Sequence, residues 1–173
     1  MSLSHDADVD SSSVNRFSRC VVDNIPHLRK PASYRSGKAQ RANLATLAEV
    51  KQASAQAAPV LLDVRSRDEY SGSPKDKRSG HIPGARWWPW EQAISMENGF
   101  TFRETDRLES SLGQFGLRDK LVPLILYCQS GHRASQSYLT LRHLGFENVR
   151  VHTGSMLEYA LDAAAALTRG AVP

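Results

Sequence analysis

Residues 123–133 read PLILYCQSGHR, and this stretch decides the fold. Its apolar half, residues 123–127, has the length and composition of a strand that is buried on both faces of a sheet. Cys128 follows at the carboxyl end of that strand, and Gly131 allows the next residues to turn sharply. Apolar residues at helical spacing over 134–144 then predict a helix. The stretch therefore indicates a strand, a short loop and a helix in succession.

The rest of the chain repeats this alternation. Further strands are predicted over 60–64 and 148–152, and a turn at 81–85 leads into an edge strand. Helical spacing predicts helices over 43–58, 66–70 and 105–115, and a last helix after residue 155 through 166. Strands that alternate with helices predict an α/β domain with a mainly parallel sheet.

Particular residues are expected to mark the helix ends. The first helix should be capped near Asn43. Ser66, with Glu69 three residues later, has the spacing of a capping box. Gly116 and Gly145 stand where a glycine ends a helix.

The chain divides into an extension, one domain and a short tail. Residues 1–43 are rich in Ser, Arg and Asp and are interrupted by proline and glycine, which predicts little regular structure. Residues 44–167 hold the predicted elements, and residues 168–173 form the tail. No stretch approaches the roughly 20 apolar residues that cross a bilayer, and the first residues lack a secretory signal. We expect a cytoplasmic protein without membrane contact, with organelle targeting by the basic extension as the alternative.

The formal net charge of +4 and the pI near 9.3 indicate a mildly basic surface. Such a surface attracts small anions, but no arginine–aromatic interleaving or zinc-finger spacing predicts nucleic-acid binding. Cys20 and Cys128 lie far apart in different contexts, so both thiols should be free. Near Cys20 only Arg16 and Arg19 could activate the thiol, which favours a passive role.

Cys128 occupies the sheet edge where open α/β folds bind ligands. The candidate residues for the loop and for substrate binding are Gln129, Ser130, Gly131, His132 and Arg133. Amide groups of this loop, the helix N-terminus and the cationic side chains favour the thiolate, and they can then hold the outer sulfur of a persulfide. The alternative is that Cys128 is a small buried hydrophobe, but an inert core cysteine needs no flanking glycine, histidine and arginine.

His132 and His81 are the candidates for proton transfer. Attack of one soft sulfur on another needs little proton movement, so we favour an electrostatic and shape role for His132. The six histidines show no metal-ligand spacing with cysteine or carboxylates. Neither a metal nor another cofactor is expected.

Several motifs together resemble the rhodanese homology domain over about residues 44–160. They are Asp63-Val64-Arg65, Glu69-Tyr70, Gly80 to Ala85, and Cys128 to Arg133. The chain is most similar to the catalytic C-terminal domain of the tandem thiosulfate sulfurtransferases, through Glu69-Tyr70-Ser71-Gly72, Tyr127-Cys128-Gln129, and Gly154-Ser155 with Glu158. The resemblance implies a three-layer α/β/α fold around a central, mainly parallel five-stranded sheet.

The resemblance also implies the activity of a thiosulfate sulfurtransferase. Cys128 would take sulfane sulfur from a small anionic donor such as thiosulfate and deliver it to a thiophilic acceptor, which is cyanide, a thiol or a protein. Asp63 and Arg65 would brace the loop. The stretch after the last strand departs from the family, whose members often carry tryptophans there, and reads Gly154-Ser155-Met156-Leu157-Glu158-Tyr159. Residues 1–43 are too short for a second rhodanese domain, so we expect a more open pocket, or one completed by a second chain or the extension.

Loop length separates the enzyme alternatives. Cell-cycle dual-specificity phosphatases resemble rhodaneses in fold but place their arginine six residues after the cysteine, whereas Arg133 comes five after Cys128. The shorter loop suits a single sulfur atom, which disfavours phosphatase or arsenate reductase activity. The presence of Cys128 disfavours a binding module without turnover. A persulfide carrier that delivers sulfur to a protein partner stays open beside the enzyme.

Overall fold

The computed structural model describes residues 41–97 and 99–170. Within them the helices are α1 Leu47–Gln56, α2 Arg67–Ser71, α3 Thr105–Gln114, α4 His132–His143 and α5 Ser155–Tyr159, with short 3-10 helices at Arg41–Asn43 and Trp90–Ala93. The strands are β1 Val60–Asp63, β2 Arg86–Trp87, β3 Ile94–Ser95, β4 Thr101–Phe102, β5 Leu124–Tyr127 and β6 Val149–Val151. No helix of this part of the chain is long and apolar enough to cross a membrane. Cys20, nearly all of the predicted extension and the last three residues of the tail lie outside the described residues.

Four of these strands form one parallel sheet in the order β2-β1-β5-β6. The α/β class with a parallel sheet is therefore confirmed, but the predicted count of five strands is wrong by one in the described part of the chain. Leu44 takes the fifth position only as a single parallel bridge to Val151, because Thr46 already caps α1 two residues later. β3 and β4 form a separate antiparallel pair.

Alternate side chains of the central strands fill two apolar layers. Leu62 and Leu126 belong to the cluster that α3 and α4 cover, whereas Leu61 and Ile125 belong to the cluster on the side of α1 and α5. Neighbouring residues of a strand point to opposite faces, so a strand that is covered on both faces is apolar throughout. This arrangement confirms the three-layer α/β/α fold.

The first helix begins later than predicted. α1 starts at Leu47, and its cap is Thr46 rather than Asn43. The Glu49 amide donates to the Thr46 hydroxyl at 3.3 Å, and the Thr46 amide donates to the Glu49 carboxylate at 2.8 Å. This reciprocal capping box satisfies two amides that a start at Asn43 would leave without such partners.

The last helix is much shorter than predicted. α5 ends at Tyr159, well before Ala166. The guanidinium group of Arg78 donates to three carbonyl oxygens beyond this end, those of Ala160, Asp162 and Ala165. Carbonyl groups at a helix end need partners, and here an arginine from a distant loop supplies them.

The other predicted helix ends are confirmed. Ser66 and Glu69 form the capping box of α2. Gly116 and Gly145 directly follow the C-caps of α3 and α4, with φ angles of 74° and 89°. Positive φ angles favour glycine because a Cβ would clash with the backbone.

Candidate active site

Cys128 lies immediately after β5, at the carboxyl edge of the sheet. The loop that follows it ends at Gly131, which is the N-cap of α4 and has a φ of 93°. A Cβ at Gly131 would come within 2.7 Å of the Thr153 carbonyl oxygen. Both the backbone angle and the lack of space therefore require glycine at the turn.

The Cys128 sulfur accepts a hydrogen bond from the Gly131 amide, with 3.1 Å between nitrogen and sulfur. Ser155 is a second polar neighbour, because its Oγ lies 3.9 Å from the sulfur and accepts a hydrogen bond from the Cys128 amide at 3.1 Å. The same hydroxyl donates to the His152 carbonyl oxygen at 2.9 Å. An amide and a hydroxyl thus both face the sulfur.

Ser155 stands outside the predicted set of site residues. It is fully buried and has a φ of 51°, which is unusual for a residue with a side chain. The contact with Cys128 joins positions 27 residues apart and depends on the pairing of β6 with β5. The signal in the sequence is the Gly154-Ser155 motif with Glu158, which carries part of the family resemblance and follows a predicted strand.

Cys128 is only 1% exposed and belongs to the apolar cluster beneath α3 and α4. Burial was the competing interpretation of this residue, and the structure combines burial with the polar contact to the Gly131 amide. An oriented N–H group can stabilise negative charge on a sulfur that bulk water does not reach. The surroundings therefore suit a nucleophile as well as a packed side chain.

Arg133 is held by Glu69 in a two-point ion pair. Its terminal nitrogens lie 2.7 and 2.8 Å from the two carboxylate oxygens. The bond from Arg133 is the main reason that the pKa of Glu69 is lowered to about 2. Glu69, and to a smaller extent Cys128, raise the pKa of Arg133. A carboxylate therefore already balances the positive charge that Arg133 brings to the loop.

Asp63 and Arg65 form a buried ion pair at the end of β1. One terminal nitrogen of Arg65 lies 2.6 Å from Asp63 and 2.8 Å from the Gly80 carbonyl oxygen. The two side chains are 0% and 4% exposed. The guanidinium carbon also lies 5.8 Å from the ring centre of Tyr127, the residue before Cys128. These contacts join the end of β1 to the turn at 80 and to β5. That the pair braces the Cys128 loop stays a prediction.

The two candidate histidines have different surroundings. His132 is exposed, and its Nδ1 lies 3.2 Å from Ser130 Oγ. His81 is buried and stacked on Tyr70 with 3.7 Å between ring centroids, and burial lowers its pKa. His81 therefore has packing contacts, while His132 lies at the surface of the loop. Among residues 41–97 and 99–170, no group of three or more His, Cys, Asp or Glu side chains is arranged to hold a metal ion.

Fold and site together define a class of protein: an α/β domain that presents a strand-end cysteine to a backbone amide and a serine, a form suited to cysteine-dependent group transfer. Residues 46–162 match the family described as the rhodanese-like domain. The chain belongs to this family, so the resemblance seen in its sequence is confirmed.

Relatives of the chain are named for sulfur transfer and sulfur carriage. A protein named "Putative thiosulfate sulfurtransferase" from Mycobacterium leprae is 39% identical over 109 residues, which are 57% of this chain and 38% of the relative. The "Sulfur carrier protein TtuD" of Thermus thermophilus is 34% identical over 110 residues, which are 57% of this chain and 37% of the relative. The chain thus spans about two fifths of the length of these relatives.

Solved structures share the fold. The Tum1 protein from Saccharomyces cerevisiae has a TM-score of 0.63 at 26% identity, over 76% of this chain and 48% of that one. A structure of EanB, described as a persulfide in a tetrahedral intermediate state with ergothioneine, has a TM-score of 0.66 at 25% identity, over 75% of this chain and 33% of that one. Both similarities support a rhodanese-like α/β fold.

Proposed function

We propose that the protein is a sulfurtransferase that moves sulfane sulfur through a persulfide on Cys128. The donor is a small anion such as thiosulfate, and the acceptor is cyanide or another thiophile. The domain that performs this transfer spans residues 44–167. The names of the relatives from Mycobacterium leprae and Thermus thermophilus support the class of reaction.

The proposed reaction consists of two displacements at sulfur. The Cys128 thiolate attacks the outer sulfur of thiosulfate, so that a new S–S bond forms, the S–S bond of thiosulfate breaks and sulfite leaves. Cyanide then attacks the outer sulfur of the persulfide, thiocyanate leaves and the thiolate is restored. The electrons balance without an external oxidant or reductant, and neither step requires a proton from His132 or His81.

The contact of 3.1 Å between the Gly131 amide and the Cys128 sulfur carries the proposal. An N–H group aimed at the sulfur stabilises the thiolate before the first step and again when the second step expels it. Arg133 contributes positive charge that Glu69 already balances. Because Glu69 already occupies the Arg133 guanidinium group, the loop offers a phosphate group one free cationic donor fewer, which favours a sulfur anion.

Mass spectrometry of the intact protein tests the proposal. Thiosulfate should add about 32 Da for each sulfur atom bound, and cyanide should remove that mass. Cys128→Ser should take up no sulfur, whereas Cys20→Ser, the matched control, should load fully. An unchanged mass in folded wild-type protein, or equal loss in both variants, would overturn the role of Cys128.

Persulfide carriage to a protein partner is the second candidate, which the relative named as a sulfur carrier favours. Kinetics with the loaded protein separate the two functions. Rapid turnover from thiosulfate to cyanide supports the enzyme. A persulfide that resists cyanide and moves only to a protein supports the carrier.

A further inference from the structure

Residues 152–158 form a wall against which the Cys128 loop packs. The carbonyl oxygens of Cys128 and Gln129 accept hydrogen bonds from the amides of Met156 and Leu157, at 3.1 and 3.0 Å. The serine hydroxyl that binds the Cys128 amide belongs to the same wall. The position of the sulfur relative to its amide donor therefore depends on this wall staying in place.

Gly131 touches the wall at Thr153. The carbonyl oxygen of Thr153 lies so near the Gly131 α-carbon that a methyl group there would come within 2.7 Å. Gly131 also donates the amide that binds the sulfur. Displacement of Thr153 would therefore remove a contact that limits the movement of that amide.

Gly154 leaves room for the side chain of Glu158. Its φ of −67° and ψ of −26° are angles that any residue adopts, so its backbone does not require glycine. A Cβ at Gly154 would come within 1.8 Å of a Glu158 carboxylate oxygen and within 2.7 Å of the Glu158 Cβ. The carboxylate of Glu158 therefore lies folded over the backbone at the middle of the wall.

His152 supplies an independent observation. Its side chain is only 2% exposed, and its Nδ1 lies 3.1 Å from the Ala45 carbonyl oxygen. Its Nε2 is buried without a hydrogen-bond partner in the described part of the chain, and the Glu158 carboxylate oxygen lies 3.6 Å away. A carboxylate only accepts hydrogen bonds, so it is attracted to this nitrogen when the nitrogen carries a proton and not when it presents a lone pair. The distance therefore records the direction in which the Glu158 side chain points.

We propose that Glu158 is a positioning residue for the Cys128 loop. By lying across Gly154 towards His152, its side chain holds Thr153 against Gly131 and so fixes the amide that binds the sulfur. Glu158 touches neither the sulfur nor a substrate, and it acts only through the wall. The consequence for catalysis rests on the proposed function, whereas the effect on the loop does not.

Amide hydrogen exchange tests the effect on the loop. Glu158→Ala should speed exchange at the amides of Gly131, Met156 and Leu157 by about tenfold or more, because local opening becomes easier. The amide of Ile125 in β5 should change by less than about twofold, since it reports on the stability of the sheet. Glu158→Gln keeps a side chain of the same shape over Gly154, so its exchange rates should stay near those of the wild type.

Glu109→Ala is the matched control. Glu109 is 46% exposed and pairs with Lys120 at 2.7 Å, whereas Glu158 is 48% exposed. Loss of Glu109 should leave exchange at Gly131 unchanged. The proposal is wrong if Glu158→Ala leaves the exchange rate at Gly131 unchanged. It is also wrong if exchange at Ile125 speeds up as much as at Gly131, because that result indicates a loss of global stability only.

Gly154→Ala offers a second route to the same perturbation. Its methyl group should displace the Glu158 carboxylate without changing any charge, and its close approach to the Glu158 Cβ should also shift the start of α5. Exchange at Gly131 should therefore be at least as fast as in Glu158→Ala. In the double variant, which combines Glu158→Ala with Gly154→Ala, exchange at Gly131 should be no faster than in the more affected single variant, because both substitutions act on one contact. Fully additive effects would contradict a shared contact.

Single-turnover sulfur loading tests the consequence for catalysis. The rate constant for persulfide formation should fall about tenfold in Glu158→Ala while the amplitude stays unchanged, because the folded fraction is the same. A loss of amplitude alone would indicate a merely structural role. If wild-type protein binds no sulfur at all, the proposed function fails, and the exchange experiment still decides the role of Glu158.

Discussion

Gly131→Ala should reduce the rate of persulfide formation far more than a comparable glycine substitution elsewhere. A side chain at the Gly131 φ of 93° costs about 1 to 2 kcal/mol of stability. The new Cβ would stand 2.7 Å from the Thr153 carbonyl oxygen, whereas ordinary contact begins at 3.4 Å, so the two segments must separate by roughly 0.7 Å. If Gly131 takes up this shift, its hydrogen bond of 3.1 Å to the Cys128 sulfur lengthens to roughly 3.8 Å and is strongly weakened.

The size of the fall in rate follows from the negative charge on the Cys128 thiolate, which accepts the hydrogen bond. A hydrogen bond to a charged group contributes about 1.5 to 3 kcal/mol, so weakening it should slow persulfide formation about 10-fold, and losing it completely would slow the step up to about 100-fold. Single-turnover loading followed by intact mass gives the rate constant, and thermal unfolding gives the stability. The Tm should fall by about 3 to 10 °C for a domain of this size.

Gly145→Ala is the matched control. Gly145 has a φ of 89°, but a Cβ there would meet only the Lys120 side chain at 3.8 Å, which is ordinary contact. Gly145→Ala should therefore lose a similar amount of stability to backbone strain but keep the wild-type rate constant for persulfide formation. A wild-type rate constant in Gly131→Ala, or an equal fall in Gly145→Ala, would refute the role of the amide.

Two further predictions concern the ion pairs around the loop. Glu69 has a pKa of about 2 in the folded protein against an ordinary value of 4.5, so its pair with Arg133 adds stability above about pH 4.5 that is lost as the pH falls towards 2. Because both side chains are partly exposed, we expect the pair to contribute on the order of 1 to 2 kcal/mol to the free energy of unfolding. Urea unfolding should show that this free energy depends less on pH over that range in Glu69→Gln than in the wild type. Asp63→Asn leaves the Arg65 charge buried without its carboxylate and should lower the free energy of unfolding by about 3 to 5 kcal/mol, whereas a loss below about 1 kcal/mol would show that Arg65 finds another partner.

Features with local causes could be predicted from the sequence. The strand before Cys128 has a continuous apolar run, and Ser66 with Glu69 carries a capping box within four residues of chain. The position of Cys128 at the sheet edge follows from the strand, loop and helix that surround it. Local propensity and tertiary structure agree at these positions.

Features that depend on distant partners could not be predicted in the same way. α5 stops early because Arg78 binds the following carbonyl groups across more than 80 residues of chain. Ser155 reaches Cys128 only after two strands have paired. The fifth strand failed for a local reason instead, because the capping box at Thr46 begins a helix almost immediately after Leu44.

The two outer edges of the parallel sheet affect how readily the domain aggregates in solution. Among residues 41–97 and 99–170, β2 is an edge strand of only two residues. At the opposite side Leu44 pairs with Val151, and the Ala45 amide donates to the Val151 carbonyl oxygen at 2.9 Å. Open backbone edges recruit further strands and promote aggregation. The family match begins at residue 46, so a fragment trimmed to that boundary would uncover β6 and lose this protection. Keeping residues 44 and 45 should preserve a monodisperse preparation.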